Sequence, residues 1–152
     1  MRSTGSKPAA ENARHGQRHR ADFVARLRAA QLRPTQQRLA LARLLFSGSD
    51  RHVTAEDLHD EALQAGARLS LATVYNTLHQ FTQAGLLRQV IVDGDKIHFD
   101  TNTGEHHHFY VEDDGVLIDI PGSDVRIEGL PKAPSGKEIE RVDIVVRLKS
   151  RS

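Results

Sequence analysis

The hydrophobic period of this 152-residue chain changes once, at Gly85, and that change divides what the two parts of it can become. Before Gly85 the apolar spacing is helical. Phe23, Leu27 and Ala30 recur at intervals of four and three, and Leu32 ends the run before Pro34, which predicts a helix over 21–32. Thr35 is placed to cap a second helix over 36–46, whose Leu39, Leu41, Ala42, Leu44 and Leu45 give a broad apolar face. Ser47-Gly48-Ser49-Asp50 stops it. Thr54 with Asp57 three positions later is close to a capping box and opens a third helix over 55–65, which Gly66 closes. Ser70 then caps LATVYNTLHQFTQA, with Leu71, Val74, Leu78 and Phe81 on one stripe.

After Gly85 the period falls to 2. Residues 87–92 and 96–100, joined by Asp93-Gly94-Asp95, read as a hairpin. Helices ending in a hairpin describe a winged helix-turn-helix, whose last helix enters the major groove while the hairpin touches the backbone beside it. Beyond Thr101, strands are expected over 106–112, 116–120, 124–130 and 142–148, with a helical turn over 135–140. Four strands and one small helix make a thin core, which pairing with a second copy would remedy. The expectation is thus an α+β chain: a disordered basic arm over 1–19, a winged-helix domain over 20–101, and a small α/β dimerisation and sensing domain over 102–152.

Charge agrees with this division. Of the 21 Lys and Arg and 20 Asp and Glu, residues 1–51 hold eleven and three, leaving ten and seventeen for residues 52–152. The front is the side suited to a polyanion. Arg33, on the turn before Pro34-Thr35, is the basic residue best placed for DNA. The fourth helix offers Ser70, Thr73, Tyr75, Asn76 and Thr77, small polar groups and one aromatic suited to phosphates and base edges. Taken alone, that helix reads better as an ordinary amphipathic helix with a polar outer face; the flanking basic helices and the following hairpin turn the reading toward recognition. No apolar stretch approaches the ~20 residues that cross a bilayer, so a cytoplasmic protein is expected.

The chain has nine His and no Cys, which excludes disulfides, thiolate zinc sites and thiol nucleophiles. A metal would need His and carboxylate ligands. Three histidines stand together in GEHHHFYVEDDG, residues 104–115. On a strand, His106 and His108 project one way and Glu105 and His107 the other. Two imidazoles at this spacing, with carboxylates, suit zinc or ferrous iron. His52 before the third helix, Asp100 at the hairpin end, and Asp119 on the strand returning past the Asp113-Asp114-Gly115 turn are the candidate companions.

LRPTQQR at 32–38, HVTAEDLH at 52–59, SLATVYNTLHQFTQAGLL at 70–87 and the HHHF run resemble the ferric uptake regulator family of metal-responsive repressors, in order and with similar spacing over 32–120. The lack of Cys, Tyr75-Asn76, HHHFYVEDDG and EIERVDIVVRL look most like its iron response regulator branch. The resemblance implies a homodimeric repressor of iron and haem metabolism genes that binds double-stranded operator DNA, with a haem-delivering enzyme among its partners. It implies that Tyr75 meets thymine methyls and that Arg33 enters the minor groove. His52, Asp100, His106, His108 and Asp119 fall on the family's regulatory site for Fe2+, Zn2+ or Mn2+. Glu105 and His107 fall on part of a second metal site, and the His run becomes the candidate for haem.

Three departures stand beside the likeness. Asn76 replaces the usual Arg, Val111 and Asp114 stand where the structural zinc site has its cysteines, and the longer C-terminal helix of the family is missing. The other readings are a repressor that responds directly to a divalent metal without haem, a small His/carboxylate metalloenzyme, and a winged helix that binds protein.

Overall fold

The computed structural model describes residues 20–94 and 96–151, so the expected arm over 1–19 lies outside the described residues. The described chain separates into two compact units, one of residues 20–91 and 96–103 and the other of residues 92–94 and 104–151. It is α+β, helices first and strands later. No helix among the described residues is long and apolar enough to cross a membrane.

In the first unit, α1 covers 20–29, α2 Gln36–Phe46, β1 His52–Val53, α3 Ala55–Gln64, α4 Leu71–Gln83, β2 Arg88–Asp93, whose last two residues count with the second unit, and β3 Lys96–Asp100. Each of the three later helices starts on a hydroxyl that accepts from the backbone amide three residues on: Thr35 from Arg38, Thr54 from Asp57, Ser70 from Thr73. These bonds satisfy amides that a helix start leaves unpaired, so the sequence's capping residues fix where the helices begin.

The ends share a device too. Gly66 and Gly85 take positive φ of 84° and 80°, and the next residues reach back, Ala67 to the Ala62 carbonyl and Leu86 to Phe81, both at 2.9 Å. At the end of α1 the same turn is made by Gln31, at φ 62°, with the Leu32 amide bonded to the Leu27 carbonyl at 2.8 Å. The helix expected to reach Leu32 therefore stops at residue 29, because the chain enters the left-handed conformation that ends a helix.

The core of this unit gathers Phe23 and Leu27 of α1, Leu41 and Leu45 of α2, Leu58 of α3, Val74, Leu78 and Phe81 of α4, and Phe99 of β3. Leu71, expected on the apolar stripe, is instead exposed in the first turn of α4. Thr77 is buried, its hydroxyl donating to the Thr73 carbonyl at 2.8 Å. That bond lets a polar side chain lie inside without an unmet donor. β1, β3 and β2 form a three-stranded sheet in that order, and β1 pairs antiparallel with β3 so that His52 faces Asp100. Helices plus this hairpin make the winged helix-turn-helix.

The second unit is a sheet of order β5-β4-β6, with β4 His106–Val111 central, β5 Val116–Pro121 antiparallel to it and β6 Val145–Leu148 parallel. The four-strand expectation is corrected here. Residues 125–130 form no strand: a 3-10 turn at Gly122–Asp124 redirects the chain, and Gly129, at φ 74° before Pro131, interrupts it again. The helical turn expected over 135–140 is a single turn about Ser135-Gly136, closed by the Lys137 amide on the Pro134 carbonyl. The last strand begins at Val145 rather than residue 142.

Directly paired residues share a face. Phe109, Ile118 and Val146 therefore lie together, as do Val111, Val116 and Leu148 beside them, while His108 and Asp119 occupy the other face with Tyr110 and Leu117. Val116, Ile118, Val146 and Leu148 are all exposed, which leaves one side of the sheet apolar and open in the isolated chain.

Candidate functional site

Strand alternation in HHH, with a tight turn after β4, builds the histidine cluster of the second unit. The turn returns β5 in a register that puts Asp119 opposite His108. His106 Nε2 and His108 Nε2 lie 3.5 and 3.4 Å from the same oxygen, Oδ1 of Asp119, and the two rings meet edge-on with centroids 4.6 Å apart. His106 and His108 are buried while Asp119 is 40 % exposed at its side chain, so the cluster has one wet edge. The His106 Nδ1 lies 2.7 Å from the Gly104 carbonyl. A carbonyl can only accept, so that nitrogen is the donor and Nε2 is the ring nitrogen turned toward Asp119. A backbone partner on the far nitrogen is what commonly orients a metal-binding imidazole.

The first unit carries a second, smaller pair. His52 Nε2 stands 3.1 Å from Asp100 Oδ2, and Asp100 is almost wholly buried. The other Asp100 oxygen accepts from the Asn102 amide at 2.9 Å. Beside it, Arg51 donates to both Glu61 oxygens at 3.0 and 2.9 Å and to the Leu44 carbonyl at 3.2 Å, and the Arg51 amide donates to the Thr101 hydroxyl. The chain on either side of the His52–Asp100 pair is thus held from two directions. Imidazole nitrogens and carboxylate oxygens, with no thiolate, are the donors that ferrous iron, manganese and zinc accept in common.

His107 is set apart from its neighbours. Its Nδ1 accepts from the Ile144 amide at 3.2 Å, which ties the opposite face of β4 to the chain leading into β6. Glu105 is exposed, and no ion pair joins it to His107 among the described residues. Its carbonyl passes so close to Gly122 that a Cβ there would approach it to 2.9 Å. Glu105 and His107, expected to share a second site, thus make no bond to one another among the described residues.

On α4, Thr73 and Asn76 line an open cleft of ≈ 410 Å³ together with Arg33. Arg38 and Gln80 line it too. Arg38 donates to the Gln80 Oε1 from Nε and Nη2 at 3.3 and 3.0 Å, and to the Arg33 carbonyl at 2.9 Å, so one guanidinium joins the turn before α2 to α4. The helical spacing of Thr73, Asn76 and Gln80 was the available signal. Ser70 spends its hydroxyl on the start of α4, 2.8 Å from the Thr73 hydroxyl.

Tyr75 points elsewhere. Its hydroxyl donates to Glu56 Oε1 at 2.7 Å, and its ring stacks on His79 with centroids 6.5 Å apart. That bond is the main cause holding the Glu56 carboxyl below its ordinary value, with Glu56's own backbone amide adding to it. The same bond holds the phenol above its ordinary value, reinforced by burial and by the carboxylate's charge. With the hydroxyl engaged, the ring offers an apolar edge rather than a polar tip.

Comparison with known proteins places this architecture. Residues 29–146 match the Ferric uptake regulator family. The chain belongs to that family. It is similar to the ferric uptake regulation protein of Pseudomonas aeruginosa, 35% identical over 100 residues that span 65% of this chain and 75% of the relative. It is also similar to the peroxide-responsive repressor PerR of Staphylococcus aureus, 34% identical over 99 residues, 65% of this chain and 66% of the relative. Among solved structures, the ferric uptake regulator of Pseudomonas aeruginosa with manganese aligns at a TM-score of 0.66 and 29% identity, covering 86% of this chain and 98% of that one. The Vibrio cholerae ferric uptake regulator shares the fold at a TM-score of 0.65 and 23% identity, over 84% and 98% of the two chains.

Proposed function

We propose that this member of the ferric uptake regulator family is a homodimeric, metal-responsive repressor that binds double-stranded operator DNA. The observation that carries the reading is the convergence of His106 and His108 on one oxygen of Asp119, with the His106 ring held by the Gly104 carbonyl. Three donors in the second unit and two in the first are each an incomplete shell for a metal that takes four to six ligands. We assign His52, Asp100, His106, His108 and Asp119 to one ion, so that binding it would restrain the winged helix against the sheet unit. A coupling of ~1–3 kcal/mol is enough for such a switch.

DNA contact is assigned to the α4 face and the turn before α2, through Arg33, Ser70, Thr73, Tyr75 and Asn76, with Arg38 added. The homodimer is supported by the open apolar face of β4, β5 and β6, since contiguous exposed apolar surface commonly marks an interface. The role is regulation rather than catalysis, because five protein donors leave little room for a substrate at the metal.

Ferrous iron, manganese and zinc all suit the donors, and the Pseudomonas aeruginosa relative was solved with manganese. Control of iron and haem metabolism genes follows if iron is the ion sensed. The haem reading draws less support, because His106, His107 and His108 are all buried and His107 is bonded through Nδ1. The deciding measurement strips the protein of metal and follows its binding to duplex DNA while Fe2+, Mn2+, Zn2+ and haem are added separately. Tightening with a divalent metal is expected. Equal affinity with and without each metal would overturn the reading, and release by haem alone would restore the haem branch.

A further inference from the structure

Arg147 pairs with Tyr110 across β6 and β4, so its side chain leaves the sheet on the face that carries His108 and Asp119, while Val146 and Leu148 take the apolar face. The guanidinium lies beside the buried Tyr110 ring, 5.7 Å from its centroid, and reaches two strands at once. Nη1 donates to Glu112 Oε1 at 3.2 Å and lies 3.9 Å from Asp93 Oδ1, and Nη2 donates to the Val92 carbonyl. Glu112 directly follows β4, whereas Val92 and Asp93 end β2, at the tip of the winged-helix hairpin. That tip, residues 92–94, packs with the sheet unit although the rest of the hairpin belongs to the first.

We propose that Arg147 is a positioning residue for DNA binding: it latches the hairpin tip to the sheet unit and so sets how the wing meets the DNA backbone. A single half-exposed ion pair would contribute little. A planar guanidinium that bonds a carbonyl on one strand and a carboxylate beyond another imposes a geometry that two charges alone do not. The far end of the hairpin is Asp100, one of the residues assigned above to the metal. Held at Asp100 by an ion and at Val92 by Arg147, the hairpin would be restrained at two points, which fixes its direction. Held at one, it pivots. This role rests on the metal and DNA reading above.

The test uses the full chain with saturating Mn2+ and a duplex that the parent selects from a randomised pool. Amide hydrogen exchange over residues 88–94 and affinity for that duplex are measured for the parent, Arg147→Ala, Arg147→Lys and Glu112→Ala. Unchanged helix content and Mn2+ uptake in the variants establish that they fold. Arg147→Ala should speed exchange at 92–94 and weaken DNA binding by about 2- to 10-fold, the loss of one hydrogen bond of ordinary strength. Arg147→Lys should do nearly the same, because an ammonium keeps the charge and lacks the fork. Glu112→Ala takes a negative charge off the protein, which by charge alone tightens binding to a polyanion, whereas a loosened latch should weaken it. Exchange at 92–94 that Arg147→Ala leaves unchanged overturns the latch whatever the DNA result. Parent-like affinity in Arg147→Lys, or tighter binding by Glu112→Ala, overturns it too while DNA binding stands. A parent that selects no duplex overturns both.

Discussion

His106 and His108 face each other edge-on, their planes inclined at 68°, and both Nε2 atoms reach the one Asp119 oxygen. Two imidazoles and a carboxylate brought this close are held by β-sheet register, which a soluble loop could not hold as tightly. Asp119→Asn keeps the shape and removes the charge. Metal affinity, measured by competition with a chromogenic chelator, should fall by at least the ~10–100-fold that losing a supporting hydrogen bond at such sites costs. An unchanged affinity would remove Asp119 from the ligand set.

The end of α1 offers a stability test independent of metal. Gln31 occupies the left-handed turn position where α3 and α4 have Gly66 and Gly85. A side chain there costs roughly 1–2 kcal/mol, and glycine brings back roughly 0.5–1 kcal/mol in backbone entropy. Gln31→Gly should therefore raise the urea midpoint, by a net of about 0.5–1 kcal/mol. Gln31→Val, branched at Cβ, should lower it.

These two sites mark what the sequence could and could not disclose. Helix starts were legible because Thr35, Thr54 and Ser70 act locally, each on an amide three residues away. The His106/His108 face followed from strand alternation, and Asp119's position followed from the turn after β4. The end of α1 was hidden because Gln31 lacks the usual glycine signal. Residues 125–130 alternate like a strand, but a strand needs a neighbour, and pattern alone does not supply one. Arg38's link to Gln80 spans 42 residues of sequence, beyond any local rule.

The sheet of the second unit makes a prediction about assembly. Ile118 is 48 % exposed on β5, beside Val116 and paired with Phe109 on the apolar face. Burying a lysine ammonium there would leave an unpaired charge in an interface. Ile118→Lys should convert the dimer to monomer by analytical ultracentrifugation at micromolar protein while leaving helix content intact. A variant that sediments like the parent would place the interface elsewhere.

The Tyr75–Glu56 bond can be followed by pH. Glu56 is held below its ordinary value, so the stability it contributes is present above its unfolded value of ~4.3 and is lost as pH falls through the lower folded value. The phenol is held high, so its contribution is present below ~10 and is lost as pH rises through the raised folded value. In a Tyr110→Phe background, where Tyr75 is the remaining tyrosine, phenolate absorbance should appear at higher pH than in a free tyrosine. Glu56→Gln removes the charged acceptor and should bring that titration down. A titration that Glu56→Gln leaves in place would mean the bond does not persist in solution.

Arg33 supplies the electrostatic counterpart to these local tests. It is exposed at the mouth of the α4 cleft, and Arg38 bonds to its backbone carbonyl, which leaves the Arg33 guanidinium available to a polyanion. A basic side chain that neutralises one phosphate releases about one counterion from duplex DNA. Arg33→Ala should weaken binding and lower the magnitude of the slope of log K against log salt by about 1. Arg38→Ala should reduce the slope similarly and cost further affinity, because it also frees Gln80 and the turn before α2. Equal slopes for the parent and Arg33→Ala would show that this guanidinium stays in water when the protein is on DNA.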